Sequence, residues 1–111
     1  MKYITFTIPC YNSENYMRRC VDSLLVGGED VEILIIDDGS SDRTGAIADE
    51  YEMLYPNIVK AVHKPNGGHG SGVNRGLELA HGLYYKVVDS DDWFDRDAYL
   101  KMLDKIKIFE I

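Results

Sequence analysis

Apolar residues in this chain fall into two alternating kinds of segment. Short runs rich in β-branched and apolar residues stand at 3–8, 31–36, 58–62 and 84–88, and each reads as a strand. Between them the spacing becomes helical. Tyr16, Met17, Cys20, Val21, Leu24 and Leu25 share one face, as do Ile47, Tyr51 and Leu54, then Val73, Leu77 and Ala80. Ala98, Tyr99, Met102, Leu103 and Ile106 mark a fourth helix. Gly27-Gly28, Pro56-Asn57 and Gly82 are stop signals for the first three, and Ser13 and Ser41 fit as N-caps. The order βαβαβαβα predicts an α/β fold: a Rossmann-like parallel sheet with helices on both faces. Right-handed crossovers then gather the C-terminal ends of all strands at one edge, where ligands bind in such sheets.

The polar clusters of the chain follow those strand ends. They are Pro9-Cys10-Tyr11-Asn12, Asp37-Asp38-Gly39-Ser40-Ser41-Asp42, the glycine-rich stretch from Pro65 to Gly72, and Asp89-Ser90-Asp91-Asp92. In the last cluster, three carboxylates within four residues repel one another unless a positive charge sits among them. A hard divalent cation with oxygen ligands supplies one, and alternation turns Asp89 and Asp91 to the same side. An acidic helix entry, with Asp92 or Asp95 as the cap, is the plainer alternative. The segment from Asp37 to Ser40 is either a tight turn or a carboxylate set to accept a donor from a base or ribose. Gly67 to Gly72 holds four glycines in six residues and brings backbone amides close to a phosphate or sugar. It carries neither the dinucleotide nor the Walker pattern. Tyr11 offers a ring for stacking on a base or for packing. His69 is the histidine nearest the expected crevice, and a solvated loop position accounts for it as well.

Composition narrows the partners. The 111 residues suffice for one domain with a real core. A net charge of −7 without a basic cluster argues against a nucleic-acid polymer or an anionic membrane as partner. A small phosphate compound remains compatible where a metal mediates. Cys10 and Cys20 read as reduced, partly buried thiols, which suits a cytoplasmic setting. No apolar run reaches the length of a membrane span, and residues 3–10 lack the features of a signal peptide.

Taken in order, Ile8-Pro9-Cys10-Tyr11-Asn12, Ile36-Asp37-Asp38-Gly39-Ser40-Ser41-Asp42, Asn66-Gly67-Gly68 and Asp89-Ser90-Asp91-Asp92 strongly resemble the family 2 glycosyltransferases of the GT-A fold. The resemblance covers essentially the whole chain. It implies a donor site for a nucleotide-diphospho-sugar, with a UDP-sugar expected. By that resemblance Pro9, Tyr11 and the nearby Glu14 line the base pocket, Asp38 hydrogen-bonds the base, and Asn66, Gly67 and Gly68 approach the nucleoside. Asp89, Ser90 and Asp91 match the DxD motif, with Asp89 near the ribose and Asp91 holding Mg²⁺ or Mn²⁺ against the diphosphate; Asp92 shares the metal. The implied role is sugar transfer to a glycan or lipid-linked acceptor in cell-surface or exopolysaccharide synthesis, in the cytoplasm or peripheral to the inner face of the membrane.

Two departures stand out. Val73 precedes Asn74 where many members carry an arginine. Family catalytic domains are also about twice as long, so residues 1–111 read as the nucleotide-sugar-binding domain cut before the acceptor-binding half. The general base is then expected beyond Ile111, and transfer by these residues alone is not expected. An uncovered sheet edge would favour self-association.

Two other readings compete. A haloacid-dehalogenase-type phosphatase also uses Asp-x-Asp after a strand, but on an early strand and with Thr or Val where Trp93 stands. A receiver domain takes its acidic pair from the first strand and needs an Asp after the third, where His63-Lys64 stands.

Overall fold

The computed structural model describes residues 1–109. Strands β1 (Ile4–Cys10), β2 (Val31–Asp38), β3 (Val59–Lys64) and β4 (Tyr84–Val87) alternate with helices α1 (Met17–Leu25), α2 (Thr44–Leu54), α3 (His69–Leu79) and α4 (Arg96–Phe109). All strand pairs are parallel, in the order β3-β2-β1-β4. The expected α/β sheet is therefore present. The chain steps outward from β1 to β3 and then returns to the far side of β1. That reversal places the topological switch between β1 and β4, where open parallel sheets leave a crevice.

Alternation divides the sheet into unlike faces. Ile4, Phe6, Ile8 and Cys10 of β1 and Val31, Ile33 and Ile35 of β2 point to the larger core. There they meet Met17, Cys20, Val21 and Leu24 of α1, Ile47, Ala48 and Tyr51 of α2, and Tyr99 and Leu103 of α4. Phe6, Phe94 and Tyr99 pack edge to face, with centroids 5.5–5.6 Å apart. The buried Tyr99 hydroxyl is satisfied by donating to the Leu24 carbonyl at 2.8 Å.

The opposite face is covered by α3 and is more polar. Thr5, Thr7 and Glu32 are buried there. Glu32 accepts from the Thr5 hydroxyl, the His81 amide and the His81 ring at 2.8–2.9 Å, tying the α3–β4 connection under the sheet. Burial pushes its carboxyl up, but these donors outweigh that and hold it below the usual carboxylate range. Helix α3 meets the strands through glycine: a Cβ on Gly72 would lie 3.3 Å from Pro9, and one on Gly76 would collide with Thr7. Bulkier residues would lift the helix from the sheet.

Several local expectations need correction. Helix α3 begins at His69, so Gly70 and Gly72 belong to its first turn, and the flexible stretch shrinks to its beginning. Ser13 and Ser41 are not the caps. The α1 helix begins at Met17, and the Ser13 hydroxyl turns instead toward Ser90, 3.0 Å away. Asp42, nearer to α2, accepts the Thr44 amide at 2.9 Å, while Ser41 donates to Asn12. Tyr16 leaves the predicted core face and is exposed just before α1. Leu54 and Leu77 also lie outside the core and are exposed. Asp95 does cap α4, accepting the Ala98 amide at 2.9 Å.

Candidate nucleotide-binding site

A cleft of about 410 Å³ opens at the C-terminal edge of the sheet. Its lining comes from the ends of β1 and β2 and from the loops after β3 and β4: Pro9, Cys10, Tyr11, Ser13, Tyr16, Asp38, Asn66, Gly68, His69 and Ser90. Six residues expected at the site are among them: Pro9, Tyr11, Asp38, Asn66, Gly68 and Ser90.

Asp38 organises one wall. Its Oδ1 accepts from Lys64 Nζ at 2.6 Å and from the Gly67 amide at 2.9 Å, and its Oδ2 accepts from the Gly68 amide at 2.9 Å. Burial alone would push this carboxyl up, but the lysine and the two amides hold it below the ordinary range. Gly67 thus serves the site from behind, shaping the wall through Asp38 rather than lining it. Gly68 has φ +91° and Gly39 φ +67°, left-handed conformations that side chains resist. Glycine at both positions lets the two loops turn tightly against each other.

Asp37 points to the other face of the strand. It accepts the Ser40 amide at 3.1 Å and contacts the His63 ring at 2.9 Å. Further contacts stitch the β1–α1 loop to the β2–α2 loop and the start of α2. Asn12 donates its amide to Ser40 Oγ at 3.0 Å, Ser41 donates to Asn12 Oδ1 at 2.9 Å, and Ser13 donates to Thr44 Oγ1 at 2.7 Å. Glu14 belongs to this stitching and does not line the cleft. Its amide donates to Asp42 at 3.2 Å and its carboxylate accepts the Arg43 amide at 3.3 Å.

The acidic loop is organised differently. Asp89, Asp91 and Asp92 are exposed, yet each can place a carboxylate oxygen within 4.8 Å of the others. None of the ion pairs among the described residues involves them. Ser90 between them lines the cleft, so the cluster borders it. Three converging oxygen donors of full charge, with no lysine or arginine paired to them, fit Mg²⁺ or Mn²⁺. The general base implied beyond Ile111 lies outside the described residues.

Cys10, Ser13, Tyr16 and His69 also line the cleft. Cys10 ends β1 with its thiol buried, and burial, with Cys20 nearby, pushes that thiol up to about 12. It is a neutral wall and not a nucleophile. The sequence pattern suggests a helix cap for Ser13 and a helix core position for Tyr16, and the structure brings both to the cleft. Their position just beyond the first strand, at the edge where the crevice opens, is the signal the chain offers for them. His69, the histidine expected nearest the crevice, does line the cleft, from the start of α3 and not from a loop.

Comparison with known proteins agrees with this geometry. Residues 5–109 match the model of glycosyl transferase family 2. An uncharacterized glycosyltransferase of Mycoplasma pneumoniae, the MG025 homolog, is 42% identical over 107 residues, covering 91% of this chain and 36% of that protein. Glycosyltransferase GlyA of Streptococcus pneumoniae is 39% identical over 104 residues, covering 93% of this chain and 15% of that protein. The chain thus spans about a third or less of the curated relatives it matches. Among solved structures, S. aureus TarS 1-349 in complex with UDP superposes with a TM-score of 0.82 at 27% identity, covering 96% of this chain and 32% of that one. The same protein with UDP-GlcNAc gives 0.80 at 29% identity, covering 96% and 31%. Motif order, parallel topology, the switch-point cleft and the family match over residues 5–109 agree: the chain belongs to glycosyl transferase family 2.

Proposed function

We propose that this chain binds a nucleotide-diphospho-sugar, with UDP as the nucleotide, and that it forms the donor- and metal-binding part of a glycosyltransferase. The observation that carries this reading is the convergence of Tyr11, Asp38, Asn66 and Ser90 on one cleft bordered by the Asp89–Asp92 loop. The UDP and UDP-GlcNAc complexes of TarS support the choice of ligand. In this reading the base enters between Pro9 and Tyr11 and the Asp38 wall, and the diphosphate lies toward the acidic loop.

Asp38 keeps the first part of the cleft rigid and presents acceptor oxygens to a base N–H, while Tyr11 supplies a ring face. Asp91, with Asp92, would hold Mg²⁺ or Mn²⁺, and Asp89 would lie nearest the ribose. The ion's contribution is to stabilise the negative charge that develops on the departing nucleoside diphosphate. A glycan or lipid-linked acceptor, in cell-surface or exopolysaccharide synthesis, is the proposed recipient. Self-association belongs to the same reading. Strand β4 is an edge, and exposed Tyr84 lines an apolar cleft with Met102 and Ile106. No helix among the described residues is long and apolar enough to cross a membrane.

Calorimetric titration with UDP, CDP and GDP, each with Mn²⁺ and with EDTA, tests the proposal. UDP should bind in the presence of Mn²⁺ and lose most of its affinity in EDTA. Equal, metal-independent affinity for all three would sink it.

A further inference from the structure

His63 lies outside the cleft, yet it is the hub of a hydrogen-bonded path that reaches the cleft wall. From β3 its Nδ1 contacts Asp37 Oδ2 at 2.9 Å and its Nε2 contacts Asp49 Oδ1 of α2 at 2.7 Å. Asp37 in turn accepts the Ser40 amide, and Ser40 Oγ accepts the Asn12 amide at 3.0 Å. Asn12 adjoins Tyr11 and holds φ +48°, a left-handed conformation that asparagine adopts more readily than most L residues, and its amide and Oδ1 fix it to Ser40 and Ser41. Helix α2 closes over this path without slack: a Cβ on Gly45 would come 2.7 Å from Asp37 Oδ2 and 3.4 Å from the His63 ring.

We propose that His63 is a positioning residue of the nucleoside pocket, whose imidazolium holds Asp37 and, through Ser40 and Asn12, the loop that presents Tyr11. The inference rests on the nucleotide-binding reading above. The protonation state matters because both ring nitrogens face carboxylates. An imidazolium donates to Asp37 and Asp49 together, whereas a neutral ring has one N–H and leaves one carboxylate facing a lone pair. Asp37 comes from β2 and Asp49 from α2. Lys64, the next residue on the strand, points to the opposite face and pairs with Asp38, while Glu52 of α2 is engaged by the Ala61 amide. The two carboxylates, Asp37 first, raise the His63 pKa above its ordinary value. A raised folded pKa means that the clamp is complete at the acidic end. It is lost as pH rises through the folded value.

Coupling between ring and pocket must be reciprocal, so a ligand favoured by the clamp must also favour the proton. Uridine is the suitable probe, since it carries neither phosphate nor a group titrating near neutrality. NMR titration of the histidine rings from about pH 5.5 to 8.5 would be run with and without saturating uridine. Uridine should raise the pH at which His63 titrates by about 0.7, matching an affinity loss of about fivefold across its titration. His63→Gln should flatten the pH profile of uridine affinity, and thermal melting would verify its fold. Binding of uridine with no change in the His63 titration would overturn the positioning role and leave the nucleotide reading standing. Failure of both uridine and UDP with Mn²⁺ to bind would overturn both.

Discussion

The two sides of the cleft are built on opposite principles. On the Asp38 side every charge has a partner: Lys64 and two backbone amides surround one carboxylate, and His63 and the Ser40 amide hold its neighbour Asp37. On the Asp89–Asp92 side three carboxylates converge with no ion pair among the described residues. The first arrangement lowers the energy of the fold and fixes a shape before any ligand arrives. The second stores like-charge repulsion that an incoming cation relieves. Preorganisation thus belongs to the proposed nucleoside part, and the proposed diphosphate part depends on an ion from solution.

Replacing one carboxylate on each side by alanine should break that comparison most sharply. Asp38→Ala strips three donors of a buried acceptor and should lower unfolding free energy by about 2–4 kcal/mol, with UDP affinity falling by about 1–3 kcal/mol. Asp91→Ala should leave stability within about 0.5 kcal/mol, or raise it slightly, because it removes repulsion at an exposed site. In Mn²⁺ its UDP affinity should nevertheless fall at least about tenfold, or roughly 1.4 kcal/mol. Urea denaturation and calorimetry on both variants give the four numbers. Equal loss of stability in both would show that the acidic loop is also a structural element.

Acid should act next on the carboxylates that are surrounded by hydrogen-bond donors. Asp38, Asp42 and Glu32 all have carboxyls held below their ordinary values: burial opposes this in each, and hydrogen-bond donors overcome it. A depressed folded pKa contributes stability that is present above the unfolded value and lost as pH falls through the folded one. Stability should therefore decline as pH drops below about 4, the ordinary carboxylate value. The Glu32→Gln variant should show a shallower decline in acid melts; an unchanged slope would assign the acid sensitivity to the other carboxylates.

The smallest expected effect lies at the seam. The Ser13 and Ser90 hydroxyls, 3.0 Å apart, join the ordered loops to the acidic one. Ser90→Ala should cost about 0.5–1.5 kcal/mol or less in stability and weaken metal-dependent UDP binding more than metal-free binding. A uniform loss in both conditions would mean that the seam positions nothing on the metal side.

Much of this architecture was legible along the chain because it rests on periodicity. Alternating β-branched runs and helical spacing identified the four strands and four α-helices of the described residues, and the parallel topology then placed the four polar clusters on one edge. The strands nonetheless run two residues further than expected at Cys10, Asp38 and Lys64. Their ends are polar, and a period-two apolar pattern fades where side chains begin to serve the cleft.

The linear chain by itself determined the fold class, the order of the four motifs and the acidic character of one loop, since each depends on local residue type. Tertiary structure decided which side chains share a wall. Asp37 and Asp38 are neighbours in sequence, but the pleat sends them to opposite faces, one to His63 and the other to Lys64 and the glycine amides. Gly72, in what reads as a flexible loop, became part of the packing surface of α3, because Pro9 and Ile36 lie beneath it. Cys10, Ser13 and Tyr16 became cleft residues through the way β1 ends beside Ser90. Such assignments depend on distances between segments that are far apart in the chain. Burial and hydrogen-bond satisfaction across those segments set them, and no single segment records either.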